Sequence, residues 1–285
     1  MRSIPSDYLH NFITNALRED IGSGDHSSLA CIPEGKLGKA KLLVKEEGVL
    51  AGVEVAKAIF ETINPKTHFE ISIEDGQQVQ VGDIAFAVTA PIHTILAGER
   101  LALNCMQRMS GIATFTAMLT EKIAHTNCRL LDTRKTTPGI RVLEKFAVRC
   151  GGGHNHRMGL YDMIMLKDNH IDYAGGIAPA IEQVRNYLRN NNLKLPVEVE
   201  ARNIKEVEEI IANGPIDRIM LDNFTLQETR DAVAYINGRS ETEASGGINK
   251  DSIVAYAETG VDFISVGALT HSVKSLDMSL KAVDV

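Results

Sequence analysis

The residues that close the apolar strand cores in the second half of this chain recur at nearly constant intervals. Lys167, Glu200, Asp222, Ser245 and Gly267 end successive short apolar runs, at separations of 33, 22, 23 and 22 residues. The cores are Leu130–Leu131, Met163–Leu166, Val197–Val199, Ile219–Leu221, Thr242–Ala244 and Phe263–Val266. Segments with helical periodicity separate most of them, at 178–188, 204–211, 226–236 and 250–259. Strand alternating with helix means a parallel sheet with right-handed crossovers, and the regular metre predicts an α/β barrel. A complete barrel takes about 250 residues, so the stretch from Cys128 onward accommodates an incomplete one of about six strands.

The first hundred residues follow other periods. Tyr8, Phe12, Ile13, Ala16 and Leu17 mark a helix, with Ser6 as its expected N-cap and Gly22 as its stop. A strand over 39–45, a helix carrying Val53, Ala56, Ile59, Phe60 and Ile63, and the alternation Phe69, Ile71, Ile73 follow. Asp75-Gly76 then turns the chain toward another strand over 84–88. This is an α+β sandwich with antiparallel pairing. A biotinyl or lipoyl carrier has a similar rhythm, but it needs a lysine at a hairpin tip, and none occurs between Lys66 and Lys122. The expected division is residues 1–112 as the sandwich and 113–272 as the barrel, with 273–285 able to pack back onto the first domain. A helix over 93–108 leads into the barrel. One side of it is apolar (Leu101, Cys105, Met109) and another is a polar stripe of Arg100, Asn104, Gln107 and Gly111.

Charge and cysteine usage narrow the function classes. With 30 basic against 37 acidic residues, the formal charge of −7 argues against a general nucleic-acid binder. The longest uncharged stretch, 84–98, contains Pro91 and His93, too polar and short for a spanning helix. The first 22 residues carry scattered charges, unlike a secretory leader. Cys31, Cys105, Cys128 and Cys150 form no C-x-x-C pair and read as reduced thiols packed as small hydrophobes. The expectation is a soluble cytoplasmic protein.

Barrel sites gather at the C-terminal ends of the strands. Those ends hold Asp132, Thr133, Arg134 and Lys135, then Lys167, Asp168 and His170, then Glu200, Asp222, Ser245-Gly246-Gly247 and Gly267. Between 134 and 157, six Arg and Lys residues face a single acid, Glu144, which implies an anionic ligand or a buried counter-charge. Arginine forks suit carboxylates and phosphates. Within that segment Lys145 and Arg141 read as a solvated helix face, whereas Gly151-Gly152-Gly153 and Asn155-His156-Arg157 do not. Ser245-Gly246-Gly247 and Gly267 through Ser272 form a candidate phosphate cradle, with glycine-freed backbone N–H groups at helix starts. Glu200 and Asp222, ending neighbouring strands, suit one Mg²⁺ shared with substrate phosphates better than a glycosidase acid pair. A zinc site from His154, His156 and His170 lacks a completing ligand at suitable spacing.

These residues fall into motifs: Glu99-Arg100 with Leu103-Asn104, Ser110-Gly111-Ile112-Ala113-Thr114, Asp132 through Gly139, Asn155-His156-Arg157, Lys167-Asp168-Asn169-His170, Glu198-Val199-Glu200, Leu221-Asp222-Asn223, Ala244-Ser245-Gly246-Gly247 and Val266-Gly267. In that order the chain resembles the quinolinate phosphoribosyltransferase family over nearly its whole length. Slight departures are Ser27 for threonine and Phe146 for tyrosine. The resemblance implies transfer of a phosphoribosyl group to quinolinate with decarboxylation, in de novo NAD synthesis, with Mg²⁺ and no organic cofactor. It implies Lys135, Lys167, Glu200 and Asp222 as catalytic residues. It also implies a substrate-binding set: Arg100, Thr133, Arg134, Lys135, His156, Arg157 and Lys167 on one side, and Glu200, Asp222, Ser245, Gly246, Gly247, Gly267 and His271 on the other. A homodimer is implied, with Arg100 reaching the partner's site. The residues alone leave open a transferase for another heterocycle, a sugar-phosphate aldolase or isomerase using Lys167 or Lys135 as a Schiff-base amine, and a non-catalytic phosphate binder.

Overall fold

The computed structural model describes residues 3–283. The elements in chain order are α1 (Ser6–Ile21), α2 (His26–Cys31), β1 (Leu37–Val44), β2 (Gly48–Val49), α3 (Val53–Ile63), β3 (His68–Ile71), β4 (Gln78–Val79), β5 (Ile84–Pro91) and α4 (Ile92–Lys122), then β6 (Arg129–Leu131), α5 (Arg141–Cys150), β7 (Ile164–Leu166), α6 (Asp168–Ala174), α7 (Ile177–Asn190), β8 (Val197–Ala201), α8 (Ile204–Ala212), β9 (Arg218–Asp222), α9 (Leu226–Ile236), β10 (Glu241–Ser245), α10 (Ile253–Ala257), β11 (Phe263–Ser265), α11 (Ala268–His271) and β12 (Met278–Val283). Two compact units result. One runs to Met118 and takes in Thr136–Gly152 and the chain from Leu269; the other is Leu119–Lys135 with Gly153–Ala268. Relative to a division at 112/113, α5 and residues 113–118 fall in the first unit. No helix among the described residues is long and apolar enough to cross a membrane.

In the first unit, β1 buries Ala40, Leu42 and Val44 on alternate positions. It lies between β12 and β5 in an antiparallel sheet of order β12-β1-β5-β3. Leu42 pairs with Leu280 on one side and Phe86 on the other, so the last strand completes this sheet. Val53, Val55, Ala56, Ile59 and Phe60 form the buried face of α3, and Phe69 stacks on Phe86 with ring centroids 4.4 Å apart. Beyond Phe69, β3 is an exposed edge, with Ile71 open to solvent. The first helix starts at Ser6 itself, capped by Pro5 without a side-chain bond, so the expected N-cap lies one residue too late. Gly22 ends it as expected.

The helix expected over 93–108 is 31 residues long. It continues because its small polar residues are used sideways. Ser110 Oγ accepts the Ala51 N–H at 2.9 Å and Thr114 Oγ1 accepts the Val49 N–H at 2.9 Å. A Cβ at Gly111 would collide with the backbone carbonyl of Lys274, so only glycine permits that approach. Gln107 donates from Nε2 to the Met278 carbonyl at 3.0 Å and accepts the Leu276 N–H on its own carbonyl at 2.9 Å. Half of the polar stripe is therefore a seat for the chain's own C-terminal segment. Arg100 and Asn104 remain exposed.

The second unit is a six-stranded parallel sheet of order β6-β11-β10-β9-β8-β7. Its edge strands do not pair with each other, so the barrel is incomplete. All five residues of β8 are buried, as expected of a strand covered on both faces. The register pairs Glu198 with Arg218, Glu200 with Met220, Glu243 with Met220 and Ser245 with Asp222. Residues two apart share a face. One face therefore carries Arg218, Glu198 and Glu243 deep in the sheet and Glu200, Asp222 and Ser245 at its C-terminal end. The helix expected over 250–259 is shorter. Asn249 accepts the Asp251 N–H on Oδ1 at 2.9 Å, which holds 250–252 as a turn before α10 begins at Ile253.

Candidate active site

The strand-end residues converge. Lys167 donates from Nζ to Glu200 Oε2 at 2.7 Å. The Asp222 carboxyl is raised above the usual range, first by burial and then by the negative Glu200 beside it, with Lys167 acting in the opposite direction. Asn223, held at φ +57°, donates from Nδ2 to Asp222 Oδ2 at 2.7 Å. Two acids that repel each other, with oxygen donors at the mouth of a sheet, match what a hard divalent cation needs.

Asp132 is fully buried just past β6 and organises the cationic side. Its Oδ1 accepts the His156 N–H at 2.9 Å and its Oδ2 accepts Asn155 Nδ2 at 2.6 Å. His154 also runs beside β6, donating its N–H to the Leu130 carbonyl and accepting the Asp132 N–H. This suspends Arg157, whose Nη1 reaches the Met163 carbonyl at 3.3 Å. Burial lowers the Arg157 guanidinium, and neighbouring Arg134 lowers it further, while Glu198 and Asp162 oppose both. Two arginines held together in this way form a ready seat for an anion. Lys135 is exposed, and its N–H bonds Thr133 Oγ1 at 3.0 Å, tightening the loop after β6.

Asn223 donates its N–H to the Ser245 carbonyl at 2.8 Å. Gly246 has φ +98° and lies tight against Asn223, whose backbone nitrogen a Cβ would approach to 2.9 Å; Gly247 has φ +64° and faces open space. The candidate phosphate cradle here is a pair of left-handed glycines rather than a helix start, since α10 begins six residues beyond Gly247. Gly267, half-buried, directly precedes α11.

Sequence reasoning missed the deeper acids. His156 Nε2 lies 3.0 Å from Glu198 Oε2 and 3.5 Å from Glu243 Oε2. Burial pushes both carboxyls up to about 7. The three donor atoms lie within 4.8 Å of one another, but Arg218 Nη1, 3.1 Å from Glu243 Oε2, already supplies a cation there. The strand alternation Val-Glu-Val-Glu over 197–200 was the available signal.

In the first unit, Lys145 is fully buried, which corrects its reading as a solvated helix face. The amphipathic α5 turns Leu143, Glu144, Lys145, Ala147 and Val148 inward. Arg108, also missed, donates to Glu144 (Nε to Oε1, 2.8 Å), to Thr137 Oγ1 (3.1 Å) and to the Thr270 carbonyl (2.7 Å). The other Glu144 oxygen accepts the Thr137 N–H at 3.0 Å. Tyr8 donates from its hydroxyl to the Gly139 carbonyl at 2.8 Å. The loop of 136–140 is thus pinned by a helix that lies far away in sequence. His271 is exposed, with Nδ1 2.5 Å from Ser272 Oγ.

An incomplete parallel barrel with acids, paired cations and left-handed glycines at its strand ends defines a class of enzyme that handles phosphorylated, carboxylated substrates. Comparison with known proteins makes this specific. Residues 25–110 match the N-terminal domain of quinolinate phosphoribosyl transferase and residues 112–281 its C-terminal domain. The chain is 46% identical to the chloroplastic nicotinate-nucleotide pyrophosphorylase [carboxylating] of Arabidopsis thaliana, over 98% of this chain and 84% of that one. It is 40% identical to a probable nicotinate-nucleotide pyrophosphorylase [carboxylating] of Bacillus subtilis, over 95% and 92%. It superposes on the nicotinate-nucleotide pyrophosphorylase structure from Francisella tularensis with a TM-score of 0.93 at 39% identity, covering 99% and 98% of the two chains. This chain belongs to the quinolinate phosphoribosyltransferase family.

Proposed function

We propose that this chain transfers the phosphoribosyl group of phosphoribosyl pyrophosphate to quinolinate and releases carbon dioxide, giving nicotinate mononucleotide and pyrophosphate. The observation that carries the reading is a match of 46% identity over 98% of the chain to a carboxylating nicotinate-nucleotide pyrophosphorylase. The site chemistry supports it. Two adjacent ring carboxylates need several cations, for which Arg134, Lys135, Arg157 and Lys167 serve. The ring nitrogen attacks C1 of the ribose as the C1–O bond to pyrophosphate breaks, through an oxocarbenium-like centre governed by positioning and electrostatics. The resulting pyridinium takes the electron pair when the bond from C2 to its carboxylate breaks, and C2 then gains a proton.

Glu200 and Asp222 would hold Mg²⁺, which on binding supplies charge to the departing pyrophosphate. Thr133, Ser245, Gly246, Gly247, Gly267 and His271 would meet the ribose phosphate. The working form would be a homodimer in which the partner subunit's Arg100 completes the dicarboxylate pocket. This fits an arginine that stands exposed, with Asn104, on the half of the polar stripe that the C-terminal segment leaves open. The four cysteines are free thiols, with Cys105, Cys128 and Cys150 pushed up to about 12 by burial; Cys31 is exposed.

The test is turnover with quinolinate, phosphoribosyl pyrophosphate and Mg²⁺, with nicotinate as the alternative acceptor. Nicotinate mononucleotide and carbon dioxide from quinolinate alone are expected. Product from nicotinate instead, or full turnover in excess chelator, would overturn the acceptor or the metal assignment respectively.

A further inference from the structure

Three fully buried acids surround the segment Asn155-His156-Arg157: Asp132 just past β6, Glu198 on β8 and Glu243 on β10. Their strands take alternate places in the sheet order, so the acids approach the segment from separate directions. Asp132 holds the His156 N–H and the Asn155 amide. The His156 ring, its side chain only 5% exposed, faces the other two acids through Nε2 at 3.0 and 3.5 Å. Its Nδ1 accepts the N–H of Arg157 at 2.6 Å. A ring whose Nδ1 accepts carries its hydrogen on Nε2, the nitrogen that lies beside the two acids. Arg218 braces Glu243 from below at 3.1 Å, and its guanidinium lies 4.0 Å over the Phe263 ring.

We propose that Glu198 and Glu243 are positioning residues for the dicarboxylate pocket: they hold His156 as the Nε2–H tautomer, and His156 in turn holds the backbone of Arg157. This rests on the proposed role of Arg157 toward quinolinate. His156 then acts through the backbone of Arg157, whose N–H its Nδ1 accepts. A purely space-filling role does not call for two acids and a histidine where apolar residues of equal volume pack without desolvation cost. Orientation of the neighbouring arginine does. A guanidinium fork loses its two-point grip on a carboxylate when it tilts.

The experiment measures both KM values in the full-length enzyme for Glu243→Gln and Glu198→Gln, which keep shape and remove charge, with Arg157→Ala alongside. The quinolinate KM should rise at least about tenfold in each acid variant, while the phosphoribosyl pyrophosphate KM stays within about twofold. Unchanged quinolinate KM in the acid variants with an impaired Arg157→Ala overturns the positioning role alone. Unchanged quinolinate KM in Arg157→Ala overturns the site reading beneath it. Equal rises in both KM values, with a lowered Tm, mark a general packing role and also overturn the proposal. Should the acid variants fail to fold, ¹⁵N NMR of the wild-type histidine rings decides, the His156 ring being assigned by its loss in His156→Gln. The Nε2–H tautomer is expected, and a proton on Nδ1 is incompatible with the proposal.

Discussion

Lys167 Nζ donates to Glu200 Oε2 at 2.7 Å across 33 residues of chain, joining the ends of two neighbouring strands. The lysine side chain is 45% exposed, and a pair this open to water contributes no more than about 1 kcal/mol to stability. Lys167→Met should therefore leave the urea midpoint nearly unchanged while kcat/KM for quinolinate falls at least about a hundredfold. Paired unfolding and turnover measurements check the split. A large stability loss with modest kinetic loss would mark the bond as structural.

Gly246 and Gly247 should respond differently to substitution. A Cβ on Gly246 would meet the Asn223 side chain and backbone at φ +98°, whereas Gly247 at φ +64° faces open space. Gly246→Ala should weaken phosphoribosyl pyrophosphate binding by more than about tenfold, and Gly247→Asn, which tolerates the left-handed region, by less than about threefold. Calorimetry with each substrate separately checks both the ranking and the expected insensitivity of quinolinate.

The Glu243 carboxyl, pushed up to about 7 from its ordinary value of 4.5, makes stability depend on pH. Burial is the main cause and negative Glu198 the next; His156, Ser265 and Arg218 oppose them. Between about 4.5 and 7 the native state holds more protons than the unfolded chain, so this contribution falls as pH rises through that window and is constant above it. Glu243→Gln should flatten the decline in unfolding midpoint between pH 5 and 7. An unaltered slope would remove Glu243 as its source.

Arg108 bridges Glu144, Thr137 and the Thr270 carbonyl. Arg108→Ala strands a fully buried carboxylate and should cost about 3 kcal/mol. Adding Glu144→Gln should recover part of that loss, because the neutral amide needs no counter-charge. A double-mutant cycle by chemical denaturation reads the coupling directly.

If the partner subunit's Arg100 and the chain's own Arg157 serve one pocket, Arg100→Ala and Arg157→Ala should each be nearly inactive. Their 1:1 mixture should regain turnover once subunits exchange, since one site of the heterodimer then has both arginines. Exchange followed by fluorescence with no recovered turnover would place Arg100 within its own chain's function.

The strand-helix metre, the parallel sheet and the line of strand-end residues from Lys167 to Gly267 were legible in the sequence, because period and turn chemistry are local properties. The family motifs were legible for the same reason, since each is a contiguous run. Lys145 misled because a basic residue on a short helix reads as solvated until a second surface covers it. Arg108 was passed over because its three partners lie 29, 36 and 162 residues away. Glu198 and Glu243 show the limit most clearly. By itself, Val-Glu-Val-Glu over 197–200 specifies only that Glu198 shares one face of a strand with Glu200, and Glu-Thr-Glu over 241–243 that Glu243 shares one with Glu241, and the usual expectation for such an alternating face is water. The tertiary structure encloses Glu198 and Glu243 around His156 and Arg218, and withdrawal from solvent pushes their two carboxyls up to about 7.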